Sequence, residues 1–301
     1  MLGRTTELQQ ALRARQIVRV ARGVYRNAAA MTGDPERRAD DEFVARVRAA
    51  QVREPEPLVF AGMAAAALWE LPIVGRWPER VTVATAPDTG GRSNSHLART
   101  YAGHPAPTVE LNGLRVTSLA RTVVDVARGE TMERAVAMMD AALHGQTAGF
   151  GRSARSAVAR AEVEHELEVL GPIAGSAKAR GILSFSDARS GSTGESCSRV
   201  GIWRLGLPRP VLQQAFYDDR GKIGVVDFWW PDFGLIGEFD GRGKYLKEEY
   251  THGRTAAEVV FEEKAREDRL RALGPTMVRW DWPVALNLRA LEAKLRGAGL
   301  R

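Results

Sequence analysis

The stretch Val225–Gly241, VVDFWWPDFGLIGEFDG, constrains this 301-residue chain more than any other. Two apolar runs flank Pro231-Asp232-Phe233-Gly234, a four-residue turn signal, so the segment reads as a β-hairpin. Closing that turn between Trp230 and Leu235 sets Asp227 opposite Glu238. Side chains alternate along a strand, so Asp240 joins them on one face. The other face carries Val226, Phe228, Trp230, Leu235 and Phe239 as a core surface. Carboxylates gathered in an apolar hairpin repel one another and resist burial unless a positive charge compensates them. A divalent metal does so, and hard oxygen donors suit magnesium or manganese.

Composition bounds the remaining readings. The length suits about two domains, and 44% hydrophobic residues are enough for a packed core. A formal charge of +6 favours anionic partners, nucleic acid first. One cysteine, Cys197, excludes an intrachain disulfide and a cysteine-rich metal site, and suits a reducing cytoplasm. The N-terminus has no apolar signal-peptide core, and the longest apolar run, Leu58–Trp69, is too short to span a bilayer. No membrane partner is expected. The five histidines are isolated from one another, so no zinc site is expected.

Along the chain, residues 4–15 read as a helix. Ile17–Arg26 reads as a small β-wing turning at Gly23, apolar on one side and arginine-rich on the other. Six arginines (4, 13, 15, 19, 22 and 26) face one acid, Glu7, before residue 27. Helices are expected over 34–53, 60–69, 118–128, 132–143, 158–170, 176–188, 192–205, 258–273 and 284–297. Strands are expected over 81–85, 113–117, 213–217 and 277–282 beside the hairpin. The domains expected are 1–30, 31–148, a helical linker over 149–189, and 190–301. The class is α/β, α+β overall.

The pattern GES-x-SR (Gly194–Arg199), VDF (Val226–Phe228), EFDG (Glu238–Gly241), Lys244-Tyr245 and EKAREDRLRALG (Glu263–Gly274) resembles the very-short-patch-repair-like branch of the PD-(D/E)XK nucleases. The resemblance covers roughly 190–283. It implies a restriction-endonuclease-like mixed sheet with helices on both sides. It implies Asp227 and Glu238 as metal ligands with Asp240 nearby, and Glu195 as an accessory ligand or orienting acid. Asp240 stands where the superfamily usually has lysine, which leaves Lys244 or Lys264 for that role. Such carboxylates holding magnesium or manganese would neutralise a phosphodiester and activate water. The plainer reading of Ser192-x-x-Glu195 is a capping box, and Glu195 with Arg199 is an i,i+4 pair.

LRARQIVRVARGVYR (Leu12–Arg26) resembles the end of the winged helix-turn-helix of AbiEi-like antitoxins of type IV toxin–antitoxin systems. AGMAAAALWELP (Ala61–Pro72), GLRVTSLARTVVDVAR (Gly113–Arg128) and MMDAAL (Met138–Leu143) resemble the second domain of that family. The match begins at about the recognition helix, so the winged element is partial. Arg13, Arg15, Arg19, Arg22 and Arg26 are the expected phosphate contacts. Arg121 and Asp125 are spaced as a helix ion pair. Three functions follow as expectations. One is a metal-dependent endonuclease hydrolysing nucleic-acid phosphodiesters, DNA first, in phage defence or DNA repair. Another is a non-catalytic DNA-binding antitoxin or transcriptional regulator with a degenerate nuclease domain. The third is a module that binds a toxin-like protein partner without nucleic acid.

Overall fold

The computed structural model describes residues 2–30, 35–85, 93–101, 106–145, 157–241 and 256–301. It is a mixed α and β structure that divides into two compact units: residues 1–131 with 158–184, and residues 132–157 with 185–301. This division departs from the linear boundaries expected above. Residues 158–184 belong with the first unit, and the helix beginning at Met132 belongs with the second.

The first unit opens with helix α1 (Leu2–Arg13) and an antiparallel hairpin, β1 (Ile17–Ala21) and β2 (Val24–Asn27). Gly23 makes the turn at φ 78°, where a Cβ would be strained. Helix α2 (Pro35–Arg53) follows. A five-stranded mixed sheet has the order β5-β4-β3-β7-β6. Its strands are β3 (Val59–Phe60), β4 (Val81–Ala84), β5 (Leu97–Thr100), β6 (Thr108–Leu111) and β7 (Leu114–Thr117). The alanine-rich helix expected from Phe60 is shorter. Phe60 belongs to β3, paired with Val83 and Val116, and α3 spans Gly62–Leu68. Buried Phe43, Val47, Phe60, Ala64, Val83 and Val116 form the core.

Strands β5 and β6 were not expected from the sequence. LART and TVEL carry one charge each and only short apolar patterns, so periodicity is weak there. Helix α4 (Leu119–Gly129) begins where Ser118 caps it, its Oγ accepting from the Arg121 N–H at 3.2 Å. Arg121 is buried and pairs with Asp125 at 3.1 Å, as expected for that spacing. Helices α6 (Arg160–Leu170) and α7 (Ser176–Phe185) complete this unit.

The second unit contains α5 (Met132–His144) and α8 (Thr193–Arg204), which pack against each other. Its four-stranded mixed sheet has the order β11-β10-β9-β8. Strands β8 (Val211–Asp218), β9 (Gly221–Trp230) and β10 (Leu235–Phe239) form an antiparallel meander. After α9 (Ala256–Ala272), β11 (Thr276–Trp280) returns parallel to β10. The expected closing helix is two pieces, α10 (Trp282–Ala285) and α11 (Leu288–Gly297). Asn287 restarts it by accepting from the Ala290 N–H at 3.2 Å.

The hairpin register matches the sequence reading: Leu235 pairs with Trp230 and Gly237 with Phe228 around a 3₁₀ turn at Pro231–Phe233. One apolar cluster gathers Ile202 of α8, Phe228, Trp230, Leu235, Phe239 and Trp280 of the sheet, and Leu291 and Leu295 of α11. A second gathers Ile223, Val226, Ile236 and Leu270 of α9. Leu235 and Ile236 are neighbours on one strand and fall in different clusters, so helices cover both faces. Val226 corrects the expected core face, because it packs in the second cluster while Phe228 packs in the first. Strict alternation would have kept them together. Across from this segment, Gln213 of β8 has left-handed backbone, at φ 53°.

Helix α8 approaches the sheet closely through Gly194. A Cβ there would lie 2.0 Å from Phe239 Cε1, so only glycine permits the contact. Cys197 on the same helix is buried, and burial pushes its thiol up to about 12. The folded state therefore holds that proton more tightly than the unfolded chain, whose thiol ionises near pH 9. Stability is expected to be complete below pH 9 and to fall as pH rises from there toward 12, by at most about 1.4 kcal/mol per pH unit. Cys197→Ala should flatten that limb in urea titrations, and native protein at pH 8 should leave the thiol unreacted with Ellman's reagent. Prompt labelling of the native protein would contradict this.

A candidate acidic cleft and its neighbours

Strands β9 and β10 bring the expected acids to one place. Asp227, Glu238 and Asp240 line a single cleft of about 130 Å³, together with Val225, Phe239, Glu263, Arg266 and Arg279. Each acid is held differently. The Asp227 Oδ2 accepts from the Phe239 backbone N–H at 2.8 Å, and its Oδ1 lies 3.4 Å from Gln213 Nε2. Glu238 is buried, and arginines engage both of its oxygens. Arg266 on α9 reaches Oε1 at 2.5 Å, and Arg279 on β11 reaches Oε2 at 3.0 Å. Asp240 is half-buried at the end of β10, its N–H donating to the Trp280 carbonyl at 2.8 Å.

A wider ion network surrounds Glu238. Glu263 binds Arg266 at 2.9 Å and also Arg279, and Arg279 reaches Glu267 at 3.3 Å. Burial alone would raise the Glu263 carboxyl. The hydrogen bonds and charge of Arg266, with the charge of Arg279, bring it below its ordinary value instead. Burial opposes the charge on Arg266, yet Glu263 and Glu238 raise its affinity for the proton further. The positive charge that the hairpin acids require is thus supplied at Glu238 by guanidinium groups, which the sequence reading had assigned to a metal.

The donor chemistry of the cleft suits a hard cation: carboxylate oxygens from Asp227, Glu238 and Asp240, with acids in excess of guanidiniums. The placement does not present three donors to one point. Among the described residues no group of three His, Cys, Asp or Glu is positioned to hold a metal ion. Glu238 could join such a site only by exchanging its arginines.

Glu195 lies at the start of α8, buried, where Ser192 caps the helix as expected. Ser192 Oγ accepts from its N–H at 3.2 Å as the helix cap. Its own Oε2 accepts from the Gly191 N–H at 2.8 Å and from Gln213 Nε2 at 2.9 Å. Glu195 therefore meets Asp227 through Gln213. It does not pair with Arg199, which turns instead to Asp140 at 2.7 Å. Gln213 was missed by the sequence reading. A glutamine in a half-exposed strand carries no signal, and its backbone conformation costs about 1–3 kcal/mol unless its surroundings hold it.

Two further expectations shift. Lys264 is exposed on α9 and does not line the cleft; Arg266 does. At 100° per residue, Glu263, Arg266 and Glu267 share one face and Lys264 turns off it. Lys244 lies outside the described residues. In the first unit Arg13, Arg15, Arg19 and Arg22 are exposed, as a phosphate-contacting edge requires. Arg26 is not part of that edge. It is half-buried and donates to the Asp41 carbonyl of α2 at 3.2 Å. Among the described residues no helix is long and apolar enough to cross a membrane.

The chain is similar to two curated proteins of Mycobacterium tuberculosis, uncharacterized protein Rv2248 (strain H37Rv) and uncharacterized protein MT2308 (strain CDC 1551). Each is 33% identical over 168 residues, which covers 56% of this chain and 55% of the relative. The chain thus spans about half the length of the curated relatives it matches. No family model matches the chain. No solved structure matches it significantly.

Proposed function

We propose that the second unit is a nuclease domain that hydrolyses nucleic-acid phosphodiesters, DNA first, with magnesium or manganese as cofactor. The observation that carries this reading is the gathering of Asp227, Glu238 and Asp240 in one cleft with two guanidinium groups beside them. Asp227 and Asp240 are the carboxylates that would hold the ion, with Glu238 joining them on exchange of its arginines. A bound divalent ion supplies an activated water and charge stabilisation at phosphorus. The Phe239 N–H fixes the Asp227 carboxylate. On that exchange Arg266 and Arg279 would be the cleft cations for a phosphate, the role that Lys244 or Lys264 was expected to fill. Arg13, Arg15, Arg19 and Arg22 would position the first unit on the duplex backbone. Phage defence or DNA repair in the cytoplasm is the setting that the two resemblances suggest, with a toxin-like protein as a further partner.

A second reading is favoured by one observation, the double arginine pairing of Glu238. It satisfies the buried acid without any metal, as in a nucleic-acid-binding regulator whose nuclease-like domain is degenerate. One experiment separates the two. Pure protein is incubated with plasmid, single-stranded DNA and RNA, with magnesium, with manganese and with EDTA. The nuclease reading expects metal-dependent cleavage that Asp227→Ala abolishes. The regulator reading expects no cleavage, and salt-dependent binding that survives Asp227→Ala and weakens when Arg13, Arg15, Arg19 and Arg22 become alanine. Cleavage unchanged by Asp227→Ala overturns the first, and binding indifferent to salt overturns the second.

A further inference from the structure

We infer that Gln213 is a positioning residue of the acidic cleft, its side-chain amide tying the Asp227 carboxylate to the Glu195 carboxylate. The inference rests on the cleft being the functional site, and it adds to that site a residue neither sequence pattern nor resemblance assigned.

Three observations converge. First, Gln213 takes the left-handed conformation, φ 53°, inside a β-strand. That region favours glycine, and a glutamine held there marks a place where the surroundings overrule the backbone. Second, the distortion is confined. Leu212 pairs with Phe228 and Gln214 with Val226, so the ladder is in register on both sides of the Gln213–Asp227 position. Third, the displaced side chain has a definite destination. Its Nε2 donates at 2.9 Å to Glu195 Oε2 and lies 3.4 Å from Asp227 Oδ1.

The chemistry suits a bridge. A primary amide carries two N–H donors on one uncharged nitrogen. It can join two carboxylates without adding a charge, whereas an arginine or lysine there would add a positive one. Backbone N–H groups also hold each acid, at the oxygen Gln213 reaches in Glu195 and at the opposite oxygen in Asp227. The Gly191 N–H holds Glu195 Oε2 at 2.8 Å, and the Phe239 N–H holds Asp227 Oδ2 at 2.8 Å. Gly191 lies beside this junction; a Cβ there would meet both Glu195 oxygens at 3.4 Å and Gln213 Nε2 at 3.6 Å, ordinary contact distances. Helix α8 and strand β9 are thereby locked together through one amide. Glu195 acts through Gln213 and not on the cleft directly, which makes it a positioning residue as well.

The test uses the full chain and two substitutions. Gln213→Gly relieves the backbone and removes the amide. Gln213→Glu keeps the shape, removes the donors and adds a third carboxylate. Three readouts are taken: melting temperature, manganese affinity by calorimetry with the metal alone, and the side-chain amide resonances of protein labelled with ¹⁵N-glutamine. The Gln213 amide pair, identified by its loss in Gln213→Gly, is expected to shift in both Asp227→Asn and Glu195→Gln. Gln213→Gly is expected to melt within about 3 °C of the parent. It should weaken manganese binding by about 10–100-fold, the usual effect of losing a group that orients a ligand. Gln213→Glu should not restore the parent value.

A Gln213→Gly protein that melts lower but binds manganese as the parent does would overturn the inference, because the residue would then be structural only. Amide resonances that ignore both acid substitutions would overturn it as well. If the parent binds no manganese, the metal-dependent reading falls, and the amide shifts alone still decide the role of Gln213.

Discussion

Asp140→Ala is expected to destabilise the second unit by about 3–5 kcal/mol, the cost of stranding a buried charge. Asp140 on α5 is fully buried. It accepts from Arg199 at 2.7 Å, from Ser196 Oγ at 2.8 Å and from the Asp187 N–H at 2.8 Å. Arg199 is itself 5% exposed, donates to the Phe185 carbonyl at 2.6 Å and lies over the Phe185 ring. Without Asp140 its guanidinium keeps one neutral acceptor and a ring face. Replacing both partners removes that penalty. Asp140→Leu combined with Arg199→Met should recover most of the loss, since an apolar pair of similar volume commonly equals a buried ion pair. Urea midpoints of the two single variants and the double variant check this. A single variant within about 1 kcal/mol of the parent would contradict it.

Trp280→Ala carries an expected cost of about 3–5 kcal/mol. The indole is 3% exposed, stacks on Phe228 with ring centroids 5.3 Å apart, and donates to Ser198 Oγ at 2.8 Å. It also fills the space above Gly237, where a Cβ would lie 2.6 Å from Trp280 Cη2. The two positions should therefore be coupled. Gly237→Ala ought to be poorly tolerated in the parent and much better tolerated once Trp280 is alanine. Additive effects of the two substitutions in a double-mutant cycle would refute that coupling.

Local chemistry was legible in the sequence, and distant pairing was not. The turn at Pro231–Gly234 and the register that follows from it could be read because a few adjacent residues determine them. The Ser192 cap and the Arg121–Asp125 pair lie within one helical turn, and they too were visible. The partners of Glu238 were not. Arg266 and Arg279 reach it from a different helix and a different strand, and neither spacing nor periodicity links such positions. The same limit explains Arg199, whose nearest acid in sequence is Glu195 and whose actual partner is Asp140 on α5. The face assignment of Val226 failed for another reason. It assumed that alternation alone decides which cluster a side chain joins, and Val226 packs with Ile223, Ile236 and Leu270 instead.

The parallel pairing of β10 with β11 has a consequence for how this unit is made. Synthesis makes the hairpin acids before either arginine, so Glu238 lacks both counter-charges until α9 is made and one of them until β11 is made. A nascent hairpin is then electrostatically unbalanced, and its central strand still has one open edge. The four-stranded sheet can settle only once β11 has been made, so this unit reaches its native state after all of its strands are available.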